Sequence, residues 1–241
     1  MTNQMTIKIK TKIIKYEIKG KGDPILLIHG WGGSSKSLEA LAGLLSEKYK
    51  AITLDLPGFG QSAKPDPDWG VGEYAKFLVD IIDYLKLKPV VYFGHSFGGA
   101  LGIYLAAKYP TYIKKIVLSG ASYKRATPNT SVFGKLLGWL PPLIKKIIYK
   151  IILPQSDLYK VPGLETNFRK IVTQNLTSVL LSIKTPTLIL WGEDDKQTPV
   201  ELADELHEKI SNSQLKIFPE IGHNLPLKYP ELVFSAIKKF L

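Results

Sequence analysis

Gly94-His95-Ser96-Phe97-Gly98-Gly99 is the stretch on which the fold turns, because it sets a G-x-S-x-G pentapeptide between an apolar run, Val90–Gly94, and a helical pattern, Phe97–Tyr109. A serine at so tight a strand-to-helix turn is pushed into strained φ/ψ. The glycines two before and two after it remove side chains that would collide there. The hydroxyl then projects above the sheet edge, and the following helix aims its free amide N–H groups and positive dipole end at any oxyanion that develops nearby. The competing reading is a glycine-rich turn that only packs, as in a nucleotide-binding unit. No G-x-G-x-x-G or G-K-S/T follows a strand anywhere in the chain, which argues against it.

Working outward, strands alternate with helices. Pro24–His29, Ala51–Asp55, Val90–Gly94, Ile113–Ser119 and Thr187–Trp191 are short apolar runs ending in glycine or polar residues, as buried parallel strands do. Gln214–Phe218 is a weaker final strand, and Thr6–Thr11 with Ile13–Lys19 alternate with period two, as an antiparallel edge hairpin would. Helical patterns fall at Lys36–Lys50, Val71–Leu87, Phe97–Tyr109, Val200–Ile210 and Pro230–Phe240. Such alternation predicts a largely parallel sheet with helices on both faces. From Tyr123 to Leu181 no buried strand is evident, and Pro128, Pro141-Pro142, Pro154 and Pro162 punctuate what reads as several short helices inserted between two core strands.

The 241 residues fit one large domain, and 45% hydrophobic with 22% charged residues is ordinary globular composition, which excludes disorder, collagen and coiled coil. The absence of cysteine excludes disulfides, a thiolate nucleophile and Cys-ligated metal, and four histidines make a His-rich metal cluster improbable. Neither a signal-peptide core nor an uninterrupted apolar run of about 18 residues is found, so the cytoplasm is the expected compartment. The net charge of +11 lies in two places, +4 in residues 1–20 and +7 in 123–181. No aromatic-basic RNA motif, basic helix or zinc finger accompanies it, so no nucleic-acid partner is expected.

A serine hydroxyl is a weak nucleophile without a base. His29 and His95 precede Ser96, whereas the elbow order calls for a histidine after it. Of the two that follow, His207 sits mid-helix among charges, and His223 lies in the loop IGHNLP after the last strand, so His223 is the expected base. The acid that orients the base should come from the strand end between them, where Trp191-Gly192-Glu193-Asp194-Asp195 offers three carboxylates that composition cannot rank. The segment after Ile113–Ser119 offers none. For the oxyanion, the N–H of Phe97 and that of Trp31, in the flexible turn His29-Gly30-Trp31-Gly32-Gly33, are the expected donors.

Taken together, HGWGG, DLPGFGQS, GHSFGG and WGEDDKQTP with GHNLP resemble the α/β-hydrolase superfamily, through residues 20–122 and 182–241, and in particular its small carboxylesterases. The resemblance implies an α/β-hydrolase fold: a mostly parallel eight-stranded sheet flanked by helices, with 1–122 and 182–241 as core and 123–181 as helical cap. It implies that Asp195, the fourth residue of G-x-x-D-x-x-x-P, is the triad acid, with Asp194 as fallback, and that Asp55–Ser62 is a structural turn without chemistry. A serine rather than an aspartate at the elbow implies an acyl-enzyme mechanism on an ester, thioester, lactone or activated ketone. The expected function is therefore a serine carboxylic-ester hydrolase needing no cofactor or metal. A lactonase or a C–C hydrolase of ring-fission products is the alternative, and a non-catalytic ligand-binding member of the fold the remote one.

The insertion should roof the serine. Its apolar residues, Trp139, Leu140 and Leu143 among them, suggest a greasy acyl pocket, and Lys145, Lys146 and Lys150 in LIKKIIYKIIL suggest weak contact with a membrane surface. Oligomeric state is not legible.

Overall fold

The computed structural model describes residues 3–125 and 161–241. Among these residues, eight strands form one sheet: β1 (Asn3–Ile9), β2 (Lys12–Lys19), β3 (Pro24–Ile28), β4 (Lys50–Leu54), β5 (Val90–His95), β6 (Ile113–Ser119), β7 (Thr187–Gly192) and β8 (Ser213–Phe218). Their order is β1-β2-β4-β3-β5-β6-β7-β8, with β1–β2 and β2–β4 antiparallel and every other pair parallel. The hairpin at one end of the sheet and the parallel remainder are as the periodicity predicts.

The α-helices among the described residues are α1 (Glu39–Leu45), α2 (Val71–Tyr84), α3 (Phe97–Lys108), α4 (Glu165–Thr173), α5 (Glu201–Lys209), α6 (Leu225–Lys228) and α7 (Pro230–Phe240). Alternate residues of each central strand feed two cores. Ile25, Leu27, Val91 and Phe93 meet Leu41, Leu45, Val233 and Ile237 of α1 and α7 on one face. Leu26, Ile28, Tyr92 and Trp191 meet Tyr74, Leu78, Leu101 and Leu206 of α2, α3 and α5 on the other. Burial on both faces is why these strands read as continuous apolar runs.

Two local readings change. The helix expected over Lys36–Lys50 is a 3-10 turn, Ser35–Leu38, followed by α1, which stops at Leu45. The chain must reverse before Lys50 enters β4, and the Ser46 hydroxyl donates to the Gly43 carbonyl at 2.6 Å to close the helix end. The short helix α6, just after His223, carries no periodic signal in four residues. Of the segment expected to form the cap, residues 161–181 are described, and they place Leu164, Ile171, Leu176 and Leu180 in the same core as α2 and α3.

After β3 the chain goes to β4 on one side and returns to β5 on the other. Between β3 and β5 the strand order reverses, and in an open α/β sheet the crevice beyond the carboxyl ends at such a point is where ligands bind. Ile28 of β3 and Gly94 of β5 are paired there, so the HGWGG turn and the serine leave the sheet side by side. Tyr92, wholly buried, braces this corner by donating its hydroxyl to the Gly98 carbonyl at 2.7 Å. Tyr92→Phe should lower unfolding stability by about 1 kcal/mol in urea titration, the worth of one buried hydrogen bond; an unchanged midpoint would count against this bracing.

Candidate active site

Ser96 is the only residue between β5 and α3. It holds φ 52° and ψ −112°, a left-handed conformation costly for a side chain, and it is half-exposed while its neighbours on both sides are buried. The turn closes because two side chains are missing. A Cβ on Gly94 would come within 2.3 Å of the Gly98 carbonyl oxygen, and one on Gly98 within 2.4 Å of the Ile28 carbonyl oxygen. The Ser96 backbone is tied to its neighbours: its N–H donates to Ser119 at 2.9 Å, and its carbonyl accepts from Ser122 at 3.0 Å.

Phe97 opens α3, so its N–H is among the first-turn donors that no helical carbonyl can reach. Gly30 passes beside the serine, close enough that an added Cβ would lie 3.0 Å from the Ser96 Cβ. Trp31 follows it, its ring packed against Phe59, Phe97 and Phe168 at 5.0, 5.7 and 5.1 Å between centroids. The backbone of the HGWGG turn and the start of α3 thus flank Ser96 together.

His223 lies in the loop between β8 and α6, half-buried, with Nδ1 2.7 Å from Asp195 Oδ2. Asp195 is 4% exposed, whereas Glu193 and Asp194 face solvent. Backbone bonds from Glu193 to Phe218 (2.9 Å) and from Asp194 to Ile221 (3.0 Å) stitch the acid loop to the histidine loop and turn only the third acid inward. Asp195 Oδ1 accepts the N–H groups of Gln197 (2.9 Å) and Thr198 (2.8 Å), and Oδ2 accepts the Thr198 hydroxyl (2.7 Å). Burial alone would raise its pKa, but the hydrogen bond and charge of His223 and the Thr198 donors outweigh it and hold the carboxyl below the usual aspartate range. An ionised carboxylate has no proton to give, so His223 Nδ1 carries the shared one and Nε2 is left as the basic nitrogen.

The other histidines differ. His29 is buried, with Nδ1 donating to the Gly30 carbonyl at 2.7 Å and Nε2 accepting the Leu56 N–H at 3.1 Å, so it ties HGWGG to DLPGFGQS. In that second turn Asp55 accepts from Ser35 (2.7 Å) and Gln61 (2.8 Å), which is scaffolding. His95, 4% exposed, donates from Nδ1 to the Ser119 carbonyl at 3.0 Å, and its ring centroid lies 4.9 Å from that of His223. His207 is exposed on α5 and bonds Ser213.

Burial lowers the His29 pKa to about 4, against the smaller raising effects of Gly30 and Asp55. Burial, then the nearby His223, lowers that of His95 to about 3. Both groups stay neutral in the fold while the unfolded chain takes up protons below about pH 6.5. Their contribution to stability is therefore complete above that value and lost as pH falls toward 4. Ring-proton NMR should find no titration of His29 or His95 above pH 5; a midpoint near 6.5 for either would contradict this burial.

Two members of this cluster carry no signal in the sequence reading. Thr198 is visible only as the threonine of DDKQTP, and the packing of His95 on His223 joins segments 128 positions apart. Trp139, Leu140 and Leu143, expected to line an acyl pocket, and Lys145, Lys146 and Lys150 lie outside the described residues. Among the described residues no cluster of three His, Asp or Glu is placed to hold a metal, and no helix is long and apolar enough to cross a membrane.

This architecture and the serine-bearing turn define a class, and the chain belongs to the α/β-hydrolase fold family, whose model matches residues 23–138; it is a hydrolase of that fold. It is 30% identical to the uncharacterized hydrolase YugF of Bacillus subtilis (strain 168), with 90% of this chain and 89% of that one covered. It is 29% identical to the 2-hydroxy-6-oxo-2,4-heptadienoate hydrolase of Pseudomonas putida, with 92% and 90% covered. The solved structure of a serine hydrolase involved in carbazole degradation superimposes with a TM-score of 0.80 at 23% identity, over 100% of this chain and 98% of that one.

Proposed function

We propose that this protein is a serine carboxylic-ester hydrolase that works through an acyl-enzyme, with Ser96 as nucleophile, His223 as base and Asp195 as the acid that orients it. The observation that carries the reading is the buried carboxylate 2.7 Å from His223 Nδ1, on the same sheet edge as a strained, half-exposed serine. His223 Nε2 takes the Ser96 proton as Oγ attacks the ester carbonyl. The N–H groups of Phe97 and Trp31 receive the oxyanion. The imidazolium then returns the proton to the departing alcohol. In the second half, water gives its proton to Nε2 and attacks the acyl carbonyl, and Ser96 leaves with that proton while the carboxylic acid is released. Asp195 stays ionised throughout and stabilises the imidazolium.

A second reading, hydrolysis of a C–C bond in a ring-fission diketone, is favoured by the name of the Pseudomonas putida relative. The test is a panel of p-nitrophenyl esters from C2 to C16 beside lactones and a vinylogous ring-fission diketone, with a Ser96 variant as control. Serine-dependent turnover of the esters supports the first reading. Esters left almost untouched beside fast diketone cleavage would replace it with the second.

A further inference from the structure

Thr198 is held on three sides in the wall behind Asp195. Its carbonyl accepts the indole N–H of the wholly buried Trp191 at 2.7 Å, its N–H donates to Asp195 Oδ1 at 2.8 Å, and its hydroxyl lies 2.7 Å from Asp195 Oδ2. The same hydroxyl oxygen is 3.2 Å from His223 Nδ1 and 3.4 Å from the Gly120 carbonyl, and the residue is 4% exposed. A hydroxyl has one proton and two lone pairs. The shortest contact takes the proton to Oδ2, which leaves a lone pair facing Nδ1–H. Oδ2 thereby receives two donors, from Thr198 and from His223, and the carboxylate cannot rotate without losing one of them.

We propose that Thr198 is a positioning residue whose hydroxyl fixes Asp195 Oδ2 against His223 and shares its charge. This rests on the serine-hydrolase reading above. Two effects follow. Without the hydroxyl, Oδ1 keeps the Gln197 and Thr198 N–H groups but Oδ2 has only His223 as donor, so the Oδ2 edge of the carboxylate is held less firmly, the imidazole loses part of its fixed direction, and turnover falls with little change in ground-state binding. At the same time Oδ2 concentrates its charge on the single donor left, which favours the imidazolium, so the acid limb of kcat/KM moves to higher pH. Among the described residues, the titratable groups facing the imidazole are Asp195 from the loop after β7 and His95 from the end of β5. His95 is neutral above pH 5 and does not contribute to the movement.

The experiment compares wild type, Thr198→Val and Thr198→Ser on p-nitrophenyl butyrate across pH 5 to 9, with fluorophosphonate labelling alongside. The valine variant should lose kcat by about 10-fold with KM within about 2-fold, and its acid limb should rise by roughly half a pH unit. Serine, which restores the hydroxyl, should recover most of the loss and return the limb. If valine prevents folding, Thr198→Ala removes the same group and should give the same loss and limb movement. Valine or alanine with wild-type kcat and an unmoved limb overturns the proposal, and so does a serine variant as impaired as valine, because the methyl group would then be what matters. A wild-type protein inert to both ester and fluorophosphonate would instead sink the serine-hydrolase reading, and the role of Thr198 with it.

Discussion

If Ser96 is the nucleophile as proposed, Ser96→Ala is expected to remove at least about 10⁴-fold of kcat/KM toward p-nitrophenyl esters, because the hydroxyl at the strained turn that would carry the acyl group is gone. KM should change little, since the alanine methyl occupies space the serine already filled. The turn itself should persist. Its φ of 52° is imposed by β5, by α3 and by backbone bonds to Ser119 and Ser122, none of which involves the hydroxyl. The measurement is steady-state kinetics with a thermal melt on the same samples. A variant that melts like the wild type and still turns over the ester at a tenth of its rate or better would exclude Ser96 as nucleophile.

Asp195→Asn is expected to cost about 10⁴-fold in kcat, through the tautomer rather than through the fold. The N–H groups of Gln197 and Thr198 both point at Oδ1 and demand an acceptor there, so the amide must place its oxygen on that side. Its NH₂ then faces Thr198 Oγ1 and His223 Nδ1. A donor opposite Nδ1 makes that nitrogen the acceptor and moves the ring proton to Nε2, where it can no longer receive one from Ser96. Asp194→Asn, a change on an exposed neighbour, should leave kcat within about 2-fold. The reverse pattern, with activity lost in the Asp194 variant and kept in the Asp195 one, would move the acid role to Asp194.

Much of the fold is legible along the chain because it rests on local rules. Strands buried on both faces must be continuously apolar, amphipathic helices must repeat near 3.6 residues, and β6 and α7 begin and end where these patterns do. The elbow is legible for the same reason, since a serine cramped between strand and helix leaves a steric signature in the glycines around it. What blurs is where local preference is overruled. Residues 46–49 are helix-compatible, yet the approach to β4 forces a reversal. The four residues of α6 are too few to show a period.

The sequence by itself determined that a serine would stand at a strand end and that a histidine and one of three acids would follow from later strand ends. Only the tertiary structure decided that Asp195 faces inward, that Thr198 closes around its carboxylate and that His95 packs against His223. The physical reason is range. Periodicity and turn sterics are settled by neighbours a few residues apart. The direction of a loop side chain is settled by hydrogen bonds to segments brought alongside by the sheet, such as those from Glu193 and Asp194 to the chain around Phe218 and Ile221.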